Sequence, residues 1–537
     1  MSTYSDEISL AEFTSFRVID SNFLYCLNLF DQKNINSRCP TGFLKDKKQM
    51  STFAGNVLKL VAGSVFAQGL GVLVAPIVAR LFAPEAFGVA ALFVSITSII
   101  GVMACLRYEL SIMLPKTDEE AANLLGGSLF FVLIITSIST LIIFFAGDAI
   151  ANLLNSPKLK KYLWLIPVSV FVSGTFLALN YWNSRTKHFG RLSIARVISS
   201  VVTQTTKLGA GLAGFVSSGV LIGTGILGQI VSTFVLGGQI WRDDGRLFKK
   251  NIRWKKIIAG LKRHKKFPIY NTSSAFMNTA SQQLPTLLLA FYFSPKVVGF
   301  YALGRTVLSM PMSLVGGAVA RVFFQKASEV HNRTGNLSKV VGEVFSRLVS
   351  LGSFPILLLM LIGEDLFIVV FGARWAEAGV YVQILGMWIF FQFIASPIST
   401  LFAVLEKQQY GLFFNSVLFI SQAASLIFGG MTGDIKFTLF LLAITGIVCY
   451  GFLCFWLISK AGLSVILALS HIVKYSIYSS PLLIVIALAK WLLEVQEIWV
   501  LALGLCCLVV YYLPVMIQDE ELRKPIRMFF QRLGFVK

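Results

Sequence analysis

Ala122-Asn-Leu-Leu-Gly-Gly-Ser-Leu-Phe-Phe-Val-Leu-Ile-Ile-Thr-Ser-Ile-Ser-Thr-Leu-Ile-Ile-Phe-Phe-Ala146 runs for 25 residues without a charge. As an α-helix it reaches roughly 37 Å, enough to cross a hydrocarbon core of about 30 Å. Fourteen near-continuous apolar stretches of this kind fill the chain from Asn56 to Gln518. The composition supports that many: 56% hydrophobic, 14% charged, mean hydropathy +0.75. No stretch is polar enough for a soluble domain of useful size, so the length divides into spans and short loops. The expected fold is all-α, a polytopic membrane protein of about 14 transmembrane helices.

The net charge of +21 would suggest nucleic acid in a soluble chain. Here the cations fall in alternate gaps, Arg107–Lys116, Arg185–Arg191, Arg242–Lys266, Lys326–Arg347 and Arg523–Lys537. Lys and Arg hold loops on the cytoplasmic side, so the charge is expected to anchor the chain and no nucleic acid is expected as a partner. Lys158, Lys160 and Lys161 are a local violation. With an even number of spans, both termini face the cytoplasm.

Seven cysteines make no spaced pair and no Cys/His ligand set, so no disulfide framework, metal site or cofactor is expected. Residues 1–49 fit no targeting template. Asp6, Glu7 and Glu12 replace the basic start a signal peptide needs, and Phe23–Phe30 is too short for its apolar core. This segment is expected to be a disordered extension ahead of a start at Met50.

The two halves resemble each other. Phe82-Ala-Pro-Glu-Ala-Phe-Gly88-Val-Ala-Ala-Leu92 aligns with Phe293-Ser-Pro-Lys-Val-Val-Gly299-Phe-Tyr-Ala-Leu303, each joining the first two spans of a six-span group. Gly147-Asp-Ala and Gly363-Glu-Asp occupy matching places further on. Proline stops one helix and glycine permits a tight reversal. Two matches in register favour two pseudo-symmetric six-helix lobes of parallel orientation, with two extra C-terminal helices. The expected division is 1–49, an N-lobe over 50–241, a basic linker over 242–268, a C-lobe over 269–460, and the last two helices and tail over 461–537. Within the linker, Trp254, Ile257, Ile258 and Leu261 share a helical face flanked by Lys255, Lys256, Lys262 and Arg263, the pattern of an amphipathic helix in the headgroup layer.

Charged groups at bilayer depth cost roughly 2.5–3.5 kcal/mol on insertion scales, so they favour a wet cavity or a partner. Lys207, in the expected span 194–216, follows Thr203-Gln-Thr-Thr206. Arg305 sits about two turns into the expected span 298–322. Arg80 and Arg321 lie nearer span ends and can snorkel to headgroups. In the expected span 269–292, Asn271, Ser274, Asn278, Gln282 and Pro285 share one face. Such a face either glues helices together or lines a path for a polar solute. Arg107-Tyr108-Glu109 reads first as a local ion pair. Glu364-Asp365 and Arg374-Trp375 are expected in an interfacial segment at the outer rim.

Several of these stretches carry a resemblance. Arg107-Tyr-Glu-Leu-Ser-Ile-Met-Leu-Pro-Lys116, Lys266-Phe-Pro-Ile-Tyr-Asn271, Ser281-Gln-Gln-Leu-Pro285, Val298-Gly-Phe-Tyr-Ala-Leu303, Met310-Pro-Met312 and Val322-Phe-Phe-Gln-Lys-Ala-Ser328 resemble motifs of one family. It is the polysaccharide transporter (Wzx-like) branch of the multidrug/oligosaccharidyl-lipid/polysaccharide exporter superfamily. The resemblance runs from about Met50 through the twelfth span. It implies a flippase for oligosaccharide carried on polyprenyl diphosphate, multi-pass in a bacterial inner membrane, serving O-antigen, capsule or exopolysaccharide synthesis. It also implies two bundles around a cavity open alternately to each side, with cations attracting the diphosphate. Lys207 and Arg305 are the first candidates to bind substrate, with Asn271, Asn278, Gln282 and Arg107 beside them. The implied partners are the lipid-linked oligosaccharide, membrane lipids and other polysaccharide-assembly proteins.

Three rival readings compete. A drug or cation exporter of the same fold wants a buried carboxylate for ion coupling, and the deep spans offer no convincing Asp or Glu. A membrane polymerase or glycosyltransferase needs acids or bases in an extramembrane pocket, whereas the outer loops are short and the four histidines scattered. A non-transporting scaffold would leave the polar face of 269–292 without a use.

Overall fold

Thr117-Asp-Glu-Glu is a helix-start signal, and in the computed structural model Thr117 Oγ1 accepts the Glu120 amide at 3.4 Å. Three acidic residues in that first turn suit its positive end. The helix so begun runs 36 residues, outlasting the apolar run at both ends. The structure describes residues 63–312 and 316–518. The leader 1–49, the first residues of the first expected span, the Arg321 side chain and the tail from Arg523 lie outside the described residues.

In chain order the helices are α1 (Gly63–Leu81), α2 (Pro84–Gly101), α3 (Asp118–Leu153), α4 (Pro157–Leu163), α5 (Leu165–Arg185) and α6 (Phe189–Leu212). There follow α7 (Ser218–Asn251), α8 (Trp254–Arg263), α9 (Ser273–Tyr292), α10 (Pro295–Pro311) and α11 (Gly317–Thr334). The chain continues with α12 (Ser338–Phe371), α13 (Ala376–Ile398), α14 (Gln408–Thr432), α15 (Ile435–Lys460), α16 (Val465–Trp491) and α17 (Glu497–Gln518). Among the described residues, eleven helices are long and apolar enough to span a bilayer. Three of the fourteen expected spans do not reach that standard: 194–216, now α6, 269–292, now α9, and 298–322. Within the last, α-helix is described over Pro295–Pro311 and Gly317–Thr334, with residues 313–315 between them outside the described residues. These three are the stretches that carry the polar candidates.

The chain divides into two compact units between Gly299 and Phe300. Unit 1 therefore includes α9, which packs on α2, with Ser95 Oγ donating to Gln283 Oε1 at 2.9 Å. At the ends of these helices the two repeated turns meet. A Cβ on Gly88 would fall 1.6 Å from the Pro295 carbonyl oxygen, and one on Gly299 would fall 1.9 Å from that of Pro84. The contact is reciprocal and leaves no room for any side chain on either backbone. The amphipathic helix α8 docks on α3. Its Ile257 and Leu261 rest on Gly126 and Gly127, while Trp254 meets Phe130 edge-on at 4.9 Å.

In unit 2, α12 is the central rod, with α13, α16 and α17 against it. Pro355 lies inside α12 and cannot donate to the Leu351 carbonyl four residues earlier. Tyr512 of α17 supplies that bond instead, its hydroxyl donating to Leu351 O at 2.6 Å, while Tyr511 donates to Ser350 O at 2.8 Å. A buried ion pair joins Asp365 of α12 to Lys490 of α16. Both Asp365 and Trp375 are buried, Trp375 edge-on to Phe300, so this part of the expected rim is packed interior.

Gly88→Ala and Gly299→Ala should each lower stability by about 1–3 kcal/mol, the usual cost of overpacking. Gly190→Ala, which meets open space, should not. Thermal unfolding of the purified protein in one detergent compares the three. Tyr512→Phe should cost about 1–3 kcal/mol by stranding the Leu351 carbonyl, in the same assay.

Candidate functional site

Helix α6 is too polar for lipid on one side, and the structure shows where that side goes. Arg196, Ser200, Thr203 and Lys207 recur at three- and four-residue steps, so they form one stripe with a cation at each end. Eleven residues separate the two cations, roughly 16 Å along the axis. Arg196 Nη1 donates to Ser64 Oγ of α1 at 2.9 Å, and Ser200 Oγ donates to Ala67 O at 2.9 Å. On the other flank Gly228 lets α7 approach closely, and Ser199 Oγ donates to its carbonyl at 2.7 Å. Small residues and hydroxyls thus hold α1, α6 and α7 together where hydrophobic burial gains little.

Between these helices lies a cavity of about 440 Å³ lined by Ser64, Gln68, Arg196, Ser200, Gln229 and Ser232, among others. Lys207 lies half-buried further along the same stripe. Among the described residues no carboxylate pairs with Arg196 or Lys207. A hydroxyl- and amide-rich stripe whose two cations pair with no described carboxylate is chemically suited to an anion with many hydroxyls.

The polar face of α9 is also in unit 1. Asn278 and Gln282 are exposed on it, and Gln282 Nε2 donates to Asn278 Oδ1 at 3.3 Å. Asn271 sits just before, in a π-helical turn over Phe267–Thr272, a widening often found at functional positions. Arg305 belongs to unit 2. It is half-buried on α10, and its Nη1 donates to the Tyr301 hydroxyl at 3.3 Å, one turn back.

Arg107 stands apart in character. It and Leu106 take left-handed backbone angles, φ of 60° and 46°, that non-glycine residues avoid. The turn drives Glu109 into the interior, where it is 0% exposed. Arg107 Nη1 contacts Glu109 Oε1 at 3.4 Å, the local ion pair that the sequence suggested. Among the described residues Glu109 Oε2 and Arg107 Nε are buried without a hydrogen-bond partner. Tyr108 stacks on Phe131 and donates to Leu261 O, tying the turn to α8. Nearby, Arg191 bridges to Asp243 at 2.6 Å, and Asp244 accepts the indole N–H of buried Trp182 at 3.0 Å. These paired acids lie within α7 and fasten it to α6 through Arg191 and to α5 through Trp182.

Residues 77–380, more than half of the chain, match a family described as polysaccharide biosynthesis protein. The chain belongs to that family. The lipopolysaccharide biosynthesis protein WzxC of Escherichia coli (strain K12) is 24% identical over 388 residues, 69% of this chain and 74% of its own. The teichuronic acid biosynthesis protein TuaB of Bacillus subtilis (strain 168) is 20% identical over 334 residues, 61% of this chain. That match spans 64% of TuaB, just under two thirds of its length. Among solved structures, the lipid II flippase MurJ in an inward closed conformation superposes with a TM-score of 0.70 at 16% identity. It covers 88% of this chain and 99% of MurJ. An inward-facing multidrug resistance MATE transporter of the MOP superfamily gives 0.56 at 14% identity, over 76% of this chain and 95% of that one. The polysaccharide biosynthesis family is thus joined here to the MurJ and MATE fold, an all-α polytopic membrane architecture.

Among the six candidates, Lys207, Asn271, Asn278, Gln282 and Arg107 of this family member lie in unit 1 and Arg305 in unit 2. Sequence reasoning missed Arg196. It sits near the end of an expected span, where a cation looks like an anchor. The signal was present in its helical register with Ser200, Thr203 and Lys207.

Burial raises the Glu109 carboxyl above its usual 4.5, with Arg107 pulling the other way. A carboxyl raised in the folded state contributes stability below 4.5 that is lost as pH climbs through the raised value. Glu109→Gln keeps an acceptor for Arg107 and removes the titration. The variant should flatten the fall of the unfolding midpoint as pH rises above 4.5, measured in detergent.

Proposed function

We propose that this protein moves oligosaccharide linked to polyprenyl diphosphate across the bacterial inner membrane by alternating access, for surface polysaccharide synthesis. The observation that carries this reading is the stripe of α6: two cations that pair with no carboxylate among the described residues, joined by hydroxyl and amide side chains and bordered by a polar cavity. A sugar chain crossing lipid loses the water on its hydroxyls, and a polar wall replaces those hydrogen bonds. A diphosphate needs fixed positive charge, which Arg196 and Lys207 supply in unit 1 and Arg305 supplies in unit 2. Asn271, Asn278 and Gln282 add amide donors and acceptors for sugar, whereas Arg107, paired with Glu109, serves its own turn.

Membership of a polysaccharide biosynthesis family supports the substrate class. The fold shared with a lipid II flippase supports the mode of movement. In this reading the fourteen expected helices complete the membrane domain, twelve of them in two six-helix lobes around a shared cavity, with both termini cytoplasmic. The helices that fall short of span hydropathy, α6, α9 and α10, line the hydrophilic path and are shielded from lipid by their neighbours. Rocking of one lobe against the other exposes the path to each side in turn.

The test is flipping of a labelled sugar-diphosphate polyprenol by purified protein in liposomes. Lys207→Ala, Arg305→Ala and Arg196→Ala should each slow it by about tenfold or more at equal protein content, the effect of one lost charge-assisted contact. Wild-type rates in all three would remove these residues from the path, and efflux of cationic dyes without flipping would favour a drug exporter.

A further inference from the structure

Unit 2 holds a polar cluster of its own beside Arg305, and the helical register of α15 shows which way it faces. Phe440, Ile444, Val448 and Phe452 recur at four-residue steps on α15 and are exposed, Val448 at 63% and Phe452 at 68%. That row is the side a spanning helix turns to lipid. Tyr450 lies about 200° around the helix from Val448, on the face of buried Leu439, Gly446 and Leu457. It is itself only half-buried. Its remaining exposure therefore opens away from the lipid row, toward the inside of the unit.

Gly446 sets the pairing. A Cβ there would fall 2.1 Å from Cδ1 of the Trp388 ring, so α15 and α13 press together at this level. One turn on, Gln392 of α13 meets Tyr450, its Nε2 donating to the phenol oxygen at 3.1 Å. Phe414 of α14 packs edge-on to the Tyr450 ring at 5.6 Å and steadies it. Arg305 of α10 lies within electrostatic reach of Tyr450. Among the described residues, the Tyr450 O–H donates to no acceptor and Gln392 Oε1 accepts from no donor. An unfilled donor and an unfilled acceptor thus stand side by side. They match two neighbouring hydroxyls of a sugar, each of which both gives and takes a hydrogen bond. A phosphate would leave the acceptor unused, and an acyl chain would use neither.

We propose that Gln392 and Tyr450 form a sugar-reading subsite, which takes the sugar joined directly to the diphosphate. This rests on the transport reading, in which Arg305 supplies charge to the diphosphate of the same substrate. The Tyr450 hydroxyl donates to one sugar hydroxyl, and Gln392 Oε1 accepts from its neighbour. The phenol ring offers apolar surface to the C–H groups of the sugar, the usual make-up of a small-molecule site. A carrier without its sugar leaves the amide and the phenol unpaired, which is how a polar site rejects the wrong ligand. The subsite therefore favours glycosylated over bare carrier.

The test is equilibrium binding of the purified full-length protein in detergent to bare polyprenyl diphosphate and to polyprenyl diphosphate carrying glucose, galactose or N-acetylglucosamine. The wild type should bind at least one glycosylated lipid about tenfold more tightly than the bare one, the effect of two added hydrogen bonds. Tyr450→Phe, which keeps the ring, and Gln392→Ala should each lower that ratio by about threefold or more. A loss of helix packing alone weakens both kinds of lipid together and leaves the ratio where it was. Thr445→Val, which removes the bond from α15 to Ser425 of α14, should keep the wild-type ratio. If one of the two subsite variants does not fold, the other decides. A wild-type ratio in either folded variant, or an equal fall in Thr445→Val, overturns the subsite and assigns the Gln392–Tyr450 bond to helix packing. Equal wild-type affinity for all the lipids overturns the subsite and leaves the transport reading standing. Failure to bind any of them overturns both.

Discussion

Hydrocarbon offers no hydrogen bonds, and every polar group placed at its depth must find a partner inside the protein. That constraint organises both units. It is why the Leu351 carbonyl, released by Pro355, is met by the hydroxyl of Tyr512, and why Asp365 and Lys490 are found together. It also sorts the helices. Among the described helices eleven are long and apolar enough to span a bilayer, whereas α6 and α9 carry stripes of amide, hydroxyl and cationic groups that lipid would not accept. Such helices are stable only where other helices or water cover the polar side.

Glycine supplies the second half of the architecture. Without a hydrophobic driving force between spans, close packing of backbones and interhelical hydrogen bonds hold the bundle. The paired turns at Pro84–Gly88 and Pro295–Gly299 show this in its most demanding form, each glycine lying against the other turn's proline carbonyl. Gly228 performs a related task between α6 and α7, where its bare backbone lets Ser199 reach a carbonyl. Gly126 and Gly127 receive Ile257 and Leu261, so that the basic helix α8 is fixed to α3 by its apolar face while its lysines remain outside. Polar satisfaction and backbone approach are thus met by the same contacts.

The candidate site inherits both rules. Arg196 and Lys207 are carried by a helix that is fastened through its serines, which leaves the cations without carboxylate partners among the described residues. Arg107 is the contrasting case: its turn is strained, its carboxylate partner is two residues away, and its chemistry is directed inward. Two arginines in one unit therefore hold opposite roles, and the difference lies in what their neighbours have already satisfied.

Hydropathy alone established a polytopic all-α membrane chain, because the length and polarity of a span are properties of its own residues. The repeated turns, the amphipathic face of α8 and the polar faces around Lys207 and Asn278 were equally visible, since local periodicity determines them. The sequence did not disclose that Asp365 and Trp375 are interior, or that Arg196 borders a cavity. Each depends on a partner distant in the chain: Lys490 for Asp365, Phe300 for Trp375, and Ser64 for Arg196. Periodicity tells which side of a helix is polar, and only the packed neighbours decide whether that side meets a counter-charge, another backbone or an open hollow.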